Sequence, residues 1–264
     1  MLELYHSTTS VCAIKVRIVL AEKGVDWDGH LLNLQAGDQQ LPDYLKLNPK
    51  GVVPTLVHDG QVMVESSVIM TYLDEIFSDP PLQPADALSR ARMRLWIKRV
   101  DDELHAGCSI ITFATANRKA LLKKSPEARE QYFGRIPNPA LRETKRQSVE
   151  MGLKAPQVAQ NIRVYDQALG AMEQTLAGQP WLAGATYSLA DAALTPYLNR
   201  LEMLGMAGLW QPARPRVGEW LDRVRARATF APAVTAYVTP ADVERFTVPQ
   251  AEVRQTMDEA LAAS

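Results

Sequence analysis

Cysteine is nearly absent: Cys12 and Cys108 are the only two in 264 residues, too few for a disulfide scaffold. No His/Cys cluster has zinc-ligand spacing, so no metal is expected. Long apolar runs are missing too, none approaching the roughly 18 residues that span a bilayer, and no membrane partner is expected. Met1-Leu2-Glu3-Leu4-Tyr5 lacks the basic and apolar regions of a signal peptide, which leads us to expect a soluble, cytoplasmic protein. Nor is there an excess of one charge sign. With 29 Lys+Arg against 30 Asp+Glu, a net charge of −1 argues against a global grip on nucleic acid. What remains, 47% hydrophobic and 22% charged residues, is globular and excludes wholesale disorder and fibrous repeats. At about 150 residues per domain, the length allows one large domain or two ordinary ones.

The first part of the chain alternates between two periods. Leu2 to Tyr5 reads as a strand, Ala13 to Lys23 as a helix closed by Gly24, and Trp27 to Leu34 as a second strand. A short helix, Asp43 to Leu47, precedes two short apolar runs, Val53 to Val57 and Gln61 to Val64. The Asp59-Gly60 pair between them marks a hairpin. Ser66 to Phe77 closes the segment as a helix. The order β-α-β-α-β-β-α describes an α/β layer with a mixed sheet. Ser78-Asp79-Pro80-Pro81-Leu82-Gln83-Pro84 is a proline-rich break, giving a first domain over 1–78, a linker over 79–85 and a second domain over 86–264. No convincing strand follows it. Helical periods run from Asp86 to about Ala120, from Asn161 to Leu176, from Leu189 to Leu204, from Arg216 to Arg227 and from Pro240 to Phe246. The second domain is therefore expected to be all-helical. Within it a basic insert near 118–146 holds nine Lys/Arg against three Glu. Such a run reads as solvated helix faces or as a basic rim for anionic substrates. Its aromatics, Tyr132 and Phe133, are too few to stack a single strand, and no nucleic-acid partner is expected.

Three features of the first domain carry chemistry. Val53-Pro54 stands at the mouth of a strand, where proline is tolerated because no ladder donor is lost. A trans bond there is ordinary, whereas a cis bond would turn the Val53 backbone outward to pair with an extended ligand. Glu65-Ser66 ends a strand and opens a helix. Ser66 is placed as an N-cap, the helix N-terminus suits a carboxylate, and Glu65 suits an ammonium group. Ser10-Val11-Cys12 opens the first helix. Ser10 is either a plain cap or the partner of a ligand thiolate, and Cys12 is either a small buried residue or a redox thiol. The thiolate reading is affordable in energy. Lowering a thiol from about pKa 8.5 by two units needs roughly 2.7 kcal/mol. A charge-assisted hydrogen bond supplies about 1.5–3 kcal/mol and a helix end about 0.3–1 kcal/mol.

Strand–loop–Ser10–helix, Val53-Pro54-Thr55-Leu56, Glu65-Ser66-Ser67, a helical second domain and Tyr187-Ser188-Leu189-Ala190-Asp191 together resemble the glutathione transferase superfamily. The resemblance spans essentially the whole chain. It implies a thioredoxin-like first domain, glutathione as co-substrate and a homodimer. By the same resemblance Ser10 hydrogen-bonds the glutathione thiolate, Val53 before cis Pro54 pairs with the cysteinyl backbone, and Glu65 and Ser66 hold the γ-glutamyl group. Ser188 and Asp191 have capping-box spacing, a structural role.

Within the superfamily, Tyr5 to Leu20 resembles the zeta-class maleylacetoacetate isomerase signature, with Val11 in place of a second serine. Ser10, Cys12 and Lys15, with the stretch from Pro180 to Met206, resemble reductive dehalogenases of chlorinated hydroquinones. Ala85 to Leu104, the insert and Ile136-Pro137-Asn138-Pro139 resemble β-etherases of lignin-type aryl ethers, with Ala13 where that pattern has serine. The electrophile is then hydrophobic and aromatic, and His105, Cys108, Ile111 and Phe113 are candidates to line its pocket. Conjugation, β-ether cleavage and dehalogenation share the thiolate step. Two alternatives stay open: a non-catalytic scaffold on this fold, and a thiol reductase using Cys12.

Overall fold

Short apolar runs separated by Gly, Asn and Pro fold as the expected layer in the computed structural model, which describes residues 1–136 and 138–262. Pro137, in the basic insert, and residues 263–264, the end of the second domain as read from the sequence, lie outside the described residues. The elements are β1 (Leu2–His6), α1 (Val11–Lys23), β2 (Asp28–Leu31), α2 (Pro42–Leu47), β3 (Thr55–His58), β4 (Gln61–Met63) and α3 (Ser66–Ile76). The four-stranded sheet has the order β2-β1-β3-β4. β1 and β2 are parallel, as a helical crossover requires, and β1–β3 and β3–β4 are antiparallel. This is the thioredoxin-like arrangement expected of the first domain.

Local chemistry sets the element ends. Gly24 stops α1 in the left-handed region (φ 61°), its N–H reaching the carbonyls of Leu20 and Ala21. β2 is shorter than its apolar pattern because Asn33 makes a turn: its Oδ1 accepts from the amides of Gln35 and Ala36. Asp59 and Gly60 both take positive φ, closing the β3–β4 hairpin as their sequence requires. α1 differs from a one-sided amphipathic helix, since eleven of its thirteen residues are buried, Lys15 and Arg17 among them. A buried Lys23 Nζ stands 2.5 Å from both the Asp74 carboxylate and the Pro80 carbonyl, and Asp74 also accepts from Leu82 N at 2.8 Å. The proline-rich segment is thereby fastened to α1 and α3.

Beyond it the chain is helical. α4 (Ala87–Arg99) runs through a π-helical turn (Val100–Leu104) into α5 (His105–Thr112), and through a second (Phe113–Asn117) into α6 (Arg118–Leu122). The basic insert forms α7 (Pro126–Gly134) and leads into α8 (Pro139–Met151), in keeping with the helix-face reading of its charges. Ser125 and Asn138 cap them through Ala128 N and Leu141 N, each with proline at the first helical position. Then come α9 (Pro156–Leu176), α10 (Leu189–Met203), α11 (Pro215–Arg225), α12 (Phe230–Ala233), α13 (Pro240–Phe246) and α14 (Gln250–Ala262). Among the described residues no helix is long and apolar enough to cross a membrane.

The chain gathers into two compact units that do not follow the proline-rich break. One joins Met1–Lys98 with Gln179–Pro196 and Trp220–Val238; the other joins Arg99–Gly178 with Tyr197–Glu219 and the chain from Thr239 on. Polar anchoring explains the first grouping. Leu189 N donates to Leu82 O, and the Glu22 carboxylate takes both Arg227 (2.7 and 2.5 Å) and Thr229. Asp191, fully buried, accepts from Leu182 N, from Ser188 N and Oγ, and from Trp220 Nε1. In the second unit α9 packs against α5 and α14.

Candidate active site

Topology brings three of the sequence features to one end of the sheet. Tyr5, near the end of β1, pairs with Thr55 at the start of β3, and Leu56 pairs with Met63 at the end of β4. The loop to Ser10, the Val53-Pro54 segment and the Glu65-Ser66 corner therefore all leave the sheet on the same side.

Ser10 is the N-cap of α1. Its Oγ accepts from Ala13 N at 3.3 Å and its carbonyl from Ile14 N at 2.9 Å. One lone pair satisfies a helix amide, and the hydroxyl proton is left to donate. Half-buried at a helix N-terminus, it faces the favourable end of the α1 dipole. Cys12, in the first turn, is also half-buried, and neither it nor Cys108 is in a disulfide. The loop before Ser10 is held from beneath by Arg17, a residue for which the sequence offered no motif. Arg17 donates to the carbonyls of Ser7 (2.9 Å) and Thr8 (2.8 Å).

The Val53–Pro54 bond is cis. β3 begins only at Thr55, so Val53 lies outside the ladder. Two residues unmarked in the sequence hold this segment: Tyr44 Oη reaches Val52 O (2.5 Å) and Thr55 Oγ1 (2.9 Å), and Asn48 Nδ2 reaches Val52 O (2.8 Å). The Asn48-Pro49 dipeptide was the available signal, as a turn former.

Glu65, and not Ser66 as expected, is the residue that precedes the first turn of α3; Ser66 is its first helical residue. The reason is backbone geometry. Glu65 takes φ 70°, a region that disfavours non-glycine residues and turns the chain sharply from β4 into the helix. Its carboxylate remains exposed, 2.6 Å from Lys50 Nζ, while Ser66 is buried with its amide in the first turn. Behind them the buried Lys15 of α1 donates to Ser67 Oγ at 3.2 Å, linking α1 to the first turn of α3.

The pocket candidates all belong to the second unit. His105 is exposed, with Nδ1 3.1 Å from Tyr197 Oη. Cys108 and Ile111 are buried, and Phe113 packs with Leu121, Phe133 and Val149 under the Lys145 ammonium, 4.5 Å from its ring. Among the described residues no three His, Cys, Asp or Glu side chains gather closely enough to hold a metal ion.

Comparison with known proteins agrees with this geometry. The family model for the glutathione S-transferase N-terminal domain matches residues 4–81, and that for the C-terminal domain matches 155–223. Protein LigF of a Sphingobium species is 32% identical over 234 residues, 86% of this chain and 90% of that protein. The crystal structure of β-etherase LigF from Sphingobium sp. strain SYK-6 aligns with a TM-score of 0.78 at 30% identity, covering 93% and 98% of the two chains. A tetrachloro-p-hydroquinone reductive dehalogenase of Sphingobium chlorophenolicum is 31% identical over 248 residues (90% and 96%). A maleylacetoacetate isomerase of Pseudomonas aeruginosa is 32% identical over 233 residues (87% and 93%). With a serine-capped helix, a cis-proline strand entry and a Glu-Ser corner on one side of a thioredoxin-like sheet, the chain belongs to the glutathione transferase superfamily and is a glutathione-dependent enzyme.

Proposed function

We propose that Ser10 holds the glutathione thiol as its thiolate for attack on a hydrophobic, aromatic electrophile. The Ser10 hydroxyl donates to the sulfur, the thiol proton passes to solvent, and a carbon–sulfur bond forms. The bond to the leaving group breaks, and aryloxide or halide departs with the electron pair. The observation that carries this reading is Ser10 itself, capping α1 through one lone pair with its proton still to donate. Val53 pairs with the cysteinyl backbone, Glu65 meets the γ-glutamyl ammonium, and the first turn of α3 at Ser66 meets its carboxylate. The relatives named a β-etherase and a chlorohydroquinone dehalogenase support an aryl electrophile. His105, Cys108, Ile111 and Phe113 remain candidates to contact the electrophile, His105 being the exposed one among them. Within this reading residues 1–78 remain the glutathione-binding domain.

Losing one preorganised donor to a developing anion lowers the rate by about 100-fold or more. Ser10→Ala is thus expected to cut turnover of aryl ethers and aryl halides by that order and to raise the pKa of bound glutathione. Unchanged turnover would sink the assignment. A second reading rests on Cys12, half-buried two residues after Ser10. Its thiolate attacks the sulfur of a glutathione conjugate, and the carbon–sulfur bond breaks with its electron pair going to carbon, which takes a proton. A second glutathione then reduces the mixed disulfide. Loss of activity in Cys12→Ala with Ser10→Ala active would favour it.

We also propose a homodimer. Val68 on α3 and Leu88 and Leu95 on α4 are 59%, 62% and 67% exposed. Leu88 and Leu95, seven apart, lie on one helical face. Light scattering should give twice the chain mass, with Leu95→Glu shifting it toward the monomer. A monomeric parent would refute this.

A further inference from the structure

Arg17 is 1% exposed, and among the described residues no carboxylate accompanies it. Its Nε donates to Ala233 O at 2.9 Å, Nη1 to His6 Nδ1 at 3.1 Å and to Ser7 O at 2.9 Å, and Nη2 to Thr8 O at 2.8 Å. The guanidinium lies 4.0 Å from the Tyr237 ring centre. Burial lowers its pKa to about 10, which leaves it charged at neutral pH. Since the guanidinium only donates, His6 Nδ1 accepts and the imidazole is neutral; burial, then Arg17 and His30, hold its pKa near 4. His6 and Tyr237 are the titratable groups that face Arg17.

A buried charge without a counter-ion costs several kcal/mol of desolvation, so its retention calls for a compensating role. Its acceptors indicate one. Two of the four are consecutive carbonyls of the loop that ends in Ser10, a loop with no ladder or helix of its own to fix it. Across a trans peptide C=O and N–H point oppositely, so drawing Ser7 O and Thr8 O down to Arg17 turns the Thr8 and Thr9 amides to the other face.

We infer that Arg17 is a positioning residue for glutathione activation: its fork fixes the Ser7–Thr8 backbone, and so the place where Ser10 meets the sulfur. The inference rests on the Ser10 reading. Its mechanism is the fork geometry: a lysine ammonium has three donors and no planar spread to reach four acceptors on two segments of the chain.

The test compares the parent, Arg17→Gln, Arg17→Lys, Ser10→Ala and the Ser10→Ala/Arg17→Gln double variant, with chlorodinitrobenzene as electrophile at saturating glutathione. The thiolate is titrated by its ultraviolet absorbance. Both Arg17 variants should lose about tenfold or more in kcat/KM and raise the thiol pKa by about one unit, with the glutathione KM within about threefold. In the Ser10→Ala background Arg17→Gln should cost less than about threefold, because one acts through the other. A folded Arg17→Gln with an unchanged pH profile, full recovery by Arg17→Lys, or additive losses would each overturn the inference and leave the Ser10 reading intact. A Ser10→Ala enzyme as active as the parent would instead refute that reading, and this inference with it. Should neither Arg17 variant fold, Tyr237→Leu, which uncovers one face of the guanidinium, should shift the thiol pKa in the same direction, and no shift would overturn the inference.

Discussion

Glu65 separates binding from stability within one side chain. Its ion pair with Lys50 is exposed, and such pairs contribute about 0–1 kcal/mol. Its place in the proposed site is to meet an ammonium group. Glu65→Gln is therefore expected to leave the urea midpoint nearly unchanged while raising the glutathione KM about tenfold, with kcat less affected. An unaltered KM would remove Glu65 from the site. Ser10 and Val53-Pro54 were legible in the sequence because each is a backbone device with a residue preference, a cap or a strand entry. Arg17 was not, because nothing in Ala13 to Leu20 says which way a charged side chain on a largely buried helix turns. The exchange of roles at the Glu65-Ser66 corner was hidden for a related reason: a non-glycine residue at φ 70° contradicts its own propensity.

At the scale of elements, the entry to α10 is a network with one centre. Asp191 accepts from two buried amides, a buried hydroxyl and a buried indole. Burial pushes its carboxyl pKa up, against the pull of Leu182 N, Trp220 and Ser188. Asp191→Ala would leave those donors unmet in the interior, at about 1–3 kcal/mol each without full additivity, so a loss of about 3–5 kcal/mol in urea unfolding is expected. A loss below about 1 kcal/mol would mean that water reaches the network. The Ser188–Asp191 spacing was legible, being three residues of local sequence. The indole partner lies 29 residues on and was not. The bounds of α7 and α8 were not legible in a charged run, although helix faces were one reading of it; α14 escaped notice because its buried positions, Val253, Met257 and Ala260, stand amid polar residues.

At the scale of the whole molecule, His6 is expected to contribute to acid sensitivity. Its folded pKa near 4 lies below the ordinary 6.5, so the unfolded chain takes up the proton first. The neutral ring's stabilisation is complete above about pH 6.5 and is lost as pH falls toward 4, amounting to about 3 kcal/mol. Urea midpoints should decline across that window in the parent and decline less in His6→Gln. Equal slopes would place the acid sensitivity elsewhere.

By itself the sequence determined the alternation of strand and helix in the first layer, the hairpin at Asp59-Gly60, the caps at Ser10 and Gly24, and the motifs that mark the superfamily. These depend on periodicity and on backbone preferences within a few residues. Tertiary structure alone decided which distant segments share a compact unit. Glu22 meets Arg227, and Arg17 meets Ala233, more than 200 residues away. Only the tertiary structure showed that the loop carrying Ser10 is anchored by a buried cation. Such contacts arise from the desolvation of particular charged side chains, which no local pattern encodes.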